Sequence, residues 1–145
     1  MKSSTLCVAV APLLALSCTN PRAASGQAGA QLAYEPAVVT LSGTLTVAMK
    51  YGTPNYGENP ATDQKLQIPI LRLDHPASVL GDSTSETNRE SFSNVKEIQL
   101  LFNQAGAHRQ LINRHVVVTG TLSRAMSGRH FTDVVLSVRA IRRAD

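Results

Sequence analysis

The histidines of this chain are the first residues to consider for metal binding or acid–base chemistry. His115 and His130 lie on successive strands of a predicted hairpin, whose register separates them by roughly 30 Å at ~3.3 Å per residue. The sequence has no cysteine after residue 18 and no pair of histidines four residues apart. It therefore predicts no metal site from its four histidines, which are His75, His108, His115 and His130.

Polar residues near the C-terminal hairpin are the best candidates for other chemistry. His130 lies close to Thr132 and Asp133, although a histidine in a turn is more often bonded to the backbone than catalytic. The chain has no Gly-x-Ser-x-Gly motif, and its candidate acids lie in loops or at strand ends. The sequence predicts no catalytic residue. In the less favoured hypothesis that the protein is an enzyme, Asp63, Asp133 and His130 would form the active site.

Charge and aromatic content speak against nucleic-acid binding. The 145 residues carry 14 Lys and Arg against 10 Asp and Glu, a net charge of +4. Binding of single strands by small barrels relies on aromatic platforms in a basic groove. Only six aromatic side chains follow the N-terminal segment, and they are Tyr34, Tyr51, Tyr56, Phe92, Phe102 and Phe131. We expect neither a nucleic-acid partner nor a cofactor.

The N-terminus is typical of a bacterial secretory signal. A lysine is followed by the apolar run LCVAVAPLLALS over residues 6–17, which is too short for a permanent membrane span. Cys18 follows directly, and this resembles the lipobox of lipoproteins, in which the cysteine carries the lipid. Ala15 and Leu16 depart from that pattern, so ordinary cleavage near 17 or 30 competes with lipidation. The sequence predicts a signal peptide over 1–18 and a periplasmic protein, with Cys18 as its anchor to the outer membrane if lipidated.

One domain follows this segment. Residues 19–36 are rich in Ala, Gly, Ser and Gln, a composition that predicts a flexible linker. Residues 37–145 then form a single domain, which must be held by its own core because it has no cysteine with which to form a disulfide.

Alternating apolar residues predict the strands of this domain. In AVVTLSGTLTVAMK, residues 37–50, one face is apolar over more than ten residues. Gly43 lies on that face, where it lets a long strand bend sharply, as small barrels require. VTGTLS, residues 118–123, repeats this pattern with Gly120, so we expect the two strands to bend at similar places, side by side.

The remaining elements complete a recognisable order. A second strand is predicted over 65–74, with Pro69 at an edge or bulge, then a polar loop over 75–94. The other elements are a third strand over 95–102, a short helix over 104–112 that exits through a left-handed Asn113, a fourth strand over 115–125 and a fifth over 130–142. Three strands, a helix and a hairpin are the order of the five-stranded OB-fold barrel; another small barrel or a β-sandwich is the alternative.

Several motifs resemble, in order, the family called domain of unknown function 4431, a family of small exported bacterial domains. They are TPNYGENPATDQK, LRLDHP, IQLLF and HVVVTGTLSRAMSGRHFTDVVLSV. The loop matches at Pro54, Asn55, Tyr56 and Asp63, the strand end at Leu73, Asp74 and Pro76, and the hairpin at Gly120, Leu122, Gly128, His130 and Thr132. Arg129 stands where members often have a histidine. The resemblance covers about residues 37–142 and implies no established activity.

The lead hypothesis is a non-catalytic binding module of the bacterial envelope, whose partner is an envelope or secreted protein. An inhibitor or immunity protein is one concrete version. OB-folds bind ligands on strands two and three and on the first and fourth loops, which here are residues 51–63 and 124–130. The ligand-binding candidates are Tyr51, Pro54, Asn55, Tyr56, Asp63, Arg129, His130 and Thr132. A stable turn whose tyrosine covers the barrel end, and a small periplasmic enzyme or glycan-binding protein, remain alternatives.

Overall fold

The computed structural model describes residues 24–25, 31–104, 106 and 108–144. The predicted signal peptide, Cys18 and most of the predicted linker lie outside these residues. Within them, no helix is long and apolar enough to cross a membrane.

The regular secondary structure of the described residues is almost entirely β-strand. The elements are β1 (Ala24–Ser25), β2 (Gln31–Ala33), β3 (Val38–Tyr51), β4 (Lys65–Leu80), β5 (Phe92–Leu101), a 3-10 turn η1 (Arg109–Leu111), β6 (His115–Arg124) and β7 (Val134–Arg143). Five of the strands close into a ring in the order β3–β6–β7–β5–β4, with β4 returning to pair with β3. The β5–β7 pair is parallel and the other four pairs are antiparallel. This confirms the predicted OB-fold-like barrel.

The long first strand of the barrel behaves as its alternation predicts. Val39, Leu41 and Leu45 are buried in the core. At Gly43 the strand pairs with β4 on one side and with β6 on the other. A Cβ on Gly43 would overlap the carbonyl oxygen of Arg72 and lie 2.8 Å from its carbonyl carbon. Glycine is therefore required here because the β4 backbone crosses directly over the position.

The matching glycine of β6 has the same role. A Cβ on Gly120 would overlap the backbone of Ser137 in β7. Because β3 and β6 are antiparallel neighbours, with Gly43 opposite Val116 and Gly120 opposite Val39, the two close crossings lie in adjacent strands. The similarity between the two sequence segments thus reflects similar backbone approaches.

β4, which corresponds to the predicted second strand, is longer than predicted. β4 continues from residue 74, where the sequence predicts its end, to Leu80. The exposed run over 74–76 suggested a loop, but its residues lie in an irregular part of the strand, where the pairing with β5 shifts register between Arg72 and Ala77. Beyond the shift Val79 is fully buried and pairs with Phe92. The connecting loop is therefore residues 81–91 rather than 75–94.

That loop is anchored to the barrel by a buried amide. Asn88 is 4% exposed, and its Oδ1 accepts the N–H of Arg124 at 2.9 Å. Its carbonyl oxygen accepts the N–H of Asp82 at 2.7 Å. The side chain of Arg124 also pairs with Glu90 at 3.0 Å, so the loop is fixed to the end of β6.

The predicted helix over 104–112 is wrong in type and length. In the described part of this segment only the single turn η1 forms, and Gly106 within it has a φ of +81°. A residue in that left-handed conformation cannot continue an α-helix. Asn113 does adopt the predicted left-handed conformation, with a φ of +60°, and Leu111 packs against the core.

Two further boundaries differ from the predicted ones. β2 pairs in parallel with the end of β4 over 31–33, and Leu32 and Tyr34 are 2% and 4% exposed. Residues 31–34 therefore belong to the folded core, although the sequence places them in a linker. At the other boundary β7 begins at Val134 rather than at 130, because the backbone before it bonds to a side chain of β5, as described below.

Candidate functional site

The first loop of the barrel, residues 52–64, is built around one carboxylate. Asp63 is 6% exposed. Its Oδ1 accepts the N–H of Asn55 at 2.9 Å, and its Oδ2 accepts the N–H groups of Gly57 at 2.7 Å and Asn59 at 3.2 Å. A single side chain at the end of the loop thus folds the preceding residues around itself. We call this segment the first mouth loop.

These contacts fix the charge of Asp63. Burial alone would raise the pKa of the carboxyl, but the N–H groups of Asn55, Gly57 and Asn59 favour the ionised form. The net effect is a pKa below the ordinary value of 3.8. Asp63 is therefore a carboxylate at neutral pH, and at least three of its acceptor positions are used within its own loop.

Tyr56 projects from this loop in a constrained backbone conformation. Its φ is +52°, a region that non-glycine residues seldom adopt, and its N–H donates to the carbonyl of Gly52 at 2.9 Å. The side chain is 55% exposed. Tyr51 packs against the loop, because its ring lies 3.6 Å from the position that a Cβ on Gly57 would take.

The Tyr56 ring also reaches the loop between β6 and β7. A Cβ on Gly128 would lie 3.1 Å from the Tyr56 Oη and 3.4 Å from a ring carbon. The ring therefore lies over Gly128, which offers it backbone without a side chain. The OB-fold order predicts that the first and fourth loops lie close together, and they do meet, through the contact of Tyr56 with Gly128.

The second mouth loop, residues 125–133, is tied to a strand of the barrel in addition to its own internal hydrogen bonds. Gln99 in β5 is 4% exposed. Its Nε2 donates to the carbonyl of Arg129 at 3.0 Å, and its Oε1 accepts the N–H of Phe131 at 2.7 Å. Thr132 adds a further link, because its Oγ1 accepts the N–H of Gln99 at 3.0 Å and donates to the carbonyl of Val134 at 2.7 Å.

His130 has a structural place in this loop. Its Nδ1 accepts the N–H of Met126 at 3.0 Å, and its own N–H donates to the carbonyl of Ser127 at 2.9 Å. Because Nδ1 is the acceptor, a neutral ring carries its proton on Nε2. This is the turn-histidine geometry that competed with a catalytic role.

The residues that an enzymatic site would need are not joined. Asp63 and His130 each bond within their own loop, and no hydrogen bond links either of them to the exposed Asp133 among the described residues. In the same part of the chain, no group of three or more His, Cys, Asp or Glu side chains is arranged to hold a metal ion.

The other histidines are separated from the mouth. His115 Nε2 lies 2.8 Å from Asp74 on the outer face of the barrel. Burial would raise the pKa of Asp74, but hydrogen bonds from Ser42 and His115 hold it below the ordinary value of 3.8. His108 stacks on Phe102 with ring centroids 4.6 Å apart, and burial lowers its pKa, with Arg109 as a second cause.

The exposed side chains around Gly128 form what we call the mouth surface. It comprises Tyr56, Met126, Gly128 and Arg129, with Met126 60% exposed. Pro54 and Asn55 are exposed on the first loop, and the peptide before Pro54 is cis. The predicted candidates therefore divide into two groups: Pro54, Asn55, Tyr56 and Arg129 are exposed, whereas Asp63 and Thr132 bond to backbone groups.

Sequence reasoning missed Gln99 and Met126. In the sequence, Gln99 could be noticed only as the single amide in the apolar segment IQLLF, residues 98–102. In the structure its neighbours Ile98 and Leu100 are buried. A buried amide in a strand must find partners, but which loop supplies them depends on a contact 30 residues away in sequence. Met126 has no sequence signal beyond its place in a turn.

These features define a class: a small OB-fold-like barrel whose first and fourth loops share one exposed surface. Residues 97–142 match the family model Domain of unknown function (DUF4431). The family resemblance predicted from the sequence is thereby confirmed for this segment, which runs from Glu97 in β5 to Arg142 in β7. The motifs at 53–65 and 71–76 lie outside the match. No curated protein matches the chain.

Proposed function

We propose that this protein is a non-catalytic binding module that recognises another protein through its mouth surface. The observation that carries the proposal is the contact of Tyr56 with Gly128. It joins two loops into one surface while leaving more than half of the tyrosine exposed.

The composition of the surface favours a protein partner. Tyr and Arg are enriched among the residues that dominate binding energies at protein interfaces, and Met adapts to irregular partners. Tyr56, Arg129 and Met126 bring these three side-chain types to one place. A surface of this kind needs no chemistry beyond burial and hydrogen bonding.

The rigidity of the surface is the second support. Asp63 fixes the backbone on either side of Tyr56, and Gln99 fixes the backbone of Arg129. Side chains that are already positioned lose less conformational entropy when a partner binds. The two buried polar groups therefore serve binding indirectly, by presenting the exposed side chains in one arrangement.

The setting of the proposed interaction is the bacterial envelope. The basis is the signal-like segment before Cys18, and the proposed location is the periplasm, with Cys18 as a lipid anchor to the outer membrane. An inhibitor or immunity protein directed at an envelope-acting enzyme fits a small, rigid, non-catalytic barrel. Mass spectrometry of the mature protein tests the anchor: a lipid-modified Cys18 is expected, and an unmodified N-terminus beyond residue 18 contradicts it.

Affinity capture from envelope extract tests the binding proposal. The bait is the wild-type protein, compared with Tyr56→Ala and with Leu80→Ala. Leu80 is a matched control because it is 45% exposed and lies at the end of β4, beside the 81–91 loop rather than the mouth loops.

We expect at least one protein to be retained by wild type and Leu80→Ala and lost with Tyr56→Ala. Thermal unfolding of the three baits should be similar, because Tyr56 is largely outside the core. If Tyr56→Ala, folded as well as wild type, retains every protein that wild type retains, the mouth surface is not the binding site.

A further inference from the structure

The third strand of the barrel has an edge that the ring does not cover. β5 spans Phe92–Leu101, but its pairing with β7 is confined to residues 99–101. On its other side, β5 pairs with β4 from Gln99 down to Phe92. Among the described residues, 92–98 therefore have a strand neighbour on one side only.

Hydrogen bonding shows which backbone groups face this open side. The N–H of Gln99 donates to the Thr132 Oγ1 on the β7 side, away from β4. Successive N–H groups alternate in a strand, so those of Glu97 and Val95 point the same way as that of Gln99. Below Gln99, neither N–H is donated to a side chain among the described residues.

The chain opposite this edge is turned away from it. Phe131 donates its N–H to the Gln99 side chain instead of to the β5 backbone, and Arg129 accepts from the same amide. Thr132 occupies the position at which the β5–β7 ladder would continue. The same residues that organise the second mouth loop thus stop the ladder and keep the edge open.

A groove lies between the edge and this loop. Its volume is about 480 Å³, and it is lined by residues 92–97 and 131–133. That volume is within the range of ligand sites, about 300–1,000 Å³. Phe92 and Phe131 are half-buried apolar side chains among its lining residues, and Lys96 and Asp133 are charged ones.

We propose that an extended segment of the partner protein binds in this groove and pairs with β5 as an additional strand. The backbone of this edge indicates that the occupant is an extended peptide. Its unpaired N–H and C=O groups recur at alternate residues, and a second main chain in the β conformation can pair with them. This proposal rests on the proposed function and specifies how its protein partner would bind.

The dimensions set the length of that segment. Residues 95–98, between Asn94 and the start of the β5–β7 pairing, span about 13 Å at ~3.3 Å per residue, which suits an extended stretch of about four residues. Alternate side chains of the segment would face Phe92 and Phe131. Asn94, with a φ of +58°, interrupts the regular strand and marks the far end of the pairing.

The groove is continuous with the mouth surface. The second mouth loop supplies Phe131, Thr132 and Asp133 to the groove, and Gly128, which lies under Tyr56, to the mouth. A partner bound over Tyr56 and Arg129 would therefore be able to extend a segment of its chain along β5. The two contacts would form one interface with a side-chain part and a main-chain part.

Amide hydrogen exchange of the free protein is the first test. The N–H groups of Val95 and Glu97 are expected to exchange rapidly, whereas that of Ile98, which points to β4, is expected to be protected. Slow exchange of Val95 and Glu97 in dilute protein would mean that the chain's own residues fill the edge. Protection that grows with protein concentration would mean that a second copy fills it. Either result overturns the proposal.

Peptide selection is the second test. Random seven-residue peptides displayed on phage serve as the probe, and the tightest selected peptide is synthesised with N-methyl groups at alternate residues. Methylation in one register should weaken binding about tenfold or more, and methylation in the other register should have little effect, because only one set of N–H groups faces β5. Recovery of no binding peptide, or equal tolerance of both registers, overturns the proposal.

Matched variants of the protein locate the peptide. Glu97→Pro removes both the Glu97 carboxylate and the backbone N–H at the edge. Glu97→Ala removes the carboxylate but keeps the backbone N–H. Selected peptides should bind Glu97→Ala about as tightly as wild type and Glu97→Pro about tenfold more weakly or worse. Equal binding by the two variants contradicts pairing at Glu97, and the methylated peptides give a result that does not depend on the folding of the proline variant.

The two proposals fail in different ways. If capture of the partner depends on Tyr56 but is unchanged in a stably folded Glu97→Pro, binding at the mouth stands and strand addition falls. If peptides pair with β5 in one register but no partner depends on Tyr56, the edge site stands alone and the proposed mouth surface falls.

Discussion

The two mouth loops are held in place by different kinds of contact. The first is folded by Asp63, whose three partners lie only four to eight residues before it. The second has local hydrogen bonds too, but it is also tied to β5 by Gln99, whose partners lie 30 to 33 residues away. The first loop is therefore organised locally by a charge, whereas the second also depends on an amide that belongs to the barrel wall.

This difference determines how far the conformation of each loop depends on the rest of the barrel. The first mouth loop can keep its conformation as long as its own carboxylate is ionised, since its organising contacts are internal. The second mouth loop depends on the position of β5 and so on the barrel as a whole. We expect changes to Gln99 to affect global stability, and changes to Asp63 to affect mainly the first loop.

The largest expected effect is that of Gln99→Leu. The substitution leaves the N–H of Phe131 and the carbonyl of Arg129 without their buried partner, which should reduce the free energy of unfolding by about 3 kcal/mol. Urea unfolding measures it. The matched control is Gln67→Leu, the same change at an exposed position of β4, for which we expect a change within about 0.5 kcal/mol. If Gln99→Leu and Gln67→Leu lose similar amounts of free energy of unfolding, the buried hydrogen bonds of Gln99 do not stabilise the second loop as argued.

Asp63→Asn should have the next largest effect. One acceptor oxygen is replaced by an N–H₂ group that faces N–H donors, so the amides of Asn55, Gly57 and Asn59 should exchange faster while those of the second loop do not. We expect the midpoint of thermal unfolding to fall by about 5 °C. Glu58→Gln, the same charge change at an exposed position of the loop, should leave both measurements near wild type. Faster exchange in both loops would show that they are organised as one unit.

The pH dependence of stability should reveal the contribution of another carboxylate, Asp74. Because the pKa of Asp74 is lowered in the folded protein, ionised Asp74 stabilises the fold at neutral pH, and this contribution is lost as the pH falls below 3.8 and through the lowered value. The difference in stability between wild type and Asp74→Asn should shrink as the pH falls from about 5 through the lowered pKa of Asp74. A difference independent of pH over that range would contradict the assignment.

The smallest effect is expected for the ion pair on the outer face. Arg72 Nε and Glu97 Oε1 lie 2.9 Å apart, but their side chains are 66% and 47% exposed. Arg72→Ala should change the free energy of unfolding by less than about 1 kcal/mol, and less in high salt. A larger loss in urea unfolding would mean that exposed polar pairs contribute here as much as the buried organisers do.

Much of the barrel could be predicted from the sequence because its longest strands alternate cleanly. β3 and β6 each alternate buried apolar residues with less buried, mostly polar ones along much of their length, and their glycines fall at close backbone crossings. β4 was predicted too short because the exposed, polar stretch around Asp74 lies within an irregular strand. Leu32 and Tyr34 were assigned to a linker because their short strand is surrounded by small residues and has no pattern of its own.

The site was predictable in outline only. The fold order places the first and fourth loops together, and Tyr56 was identified on the correct loop. The role of Asp63 as an internal acceptor could not be separated from ligand binding, because both uses need an acid at the end of a loop. Gln99 was missed because its function depends on contacts between distant segments, which no local pattern records.

The crossing at Gly43 also bears on how this protein can vary. At that position β3 carries no side chain, and the space that a methyl group would need is filled by the carbonyl of Arg72. The outward mouth residues can change without disturbing the barrel, whereas Gly43 can change only if two strands separate. Among homologous proteins that keep this barrel, we therefore expect an unvarying glycine at the strand crossing, and changes at exposed mouth residues such as Arg129 as partners change.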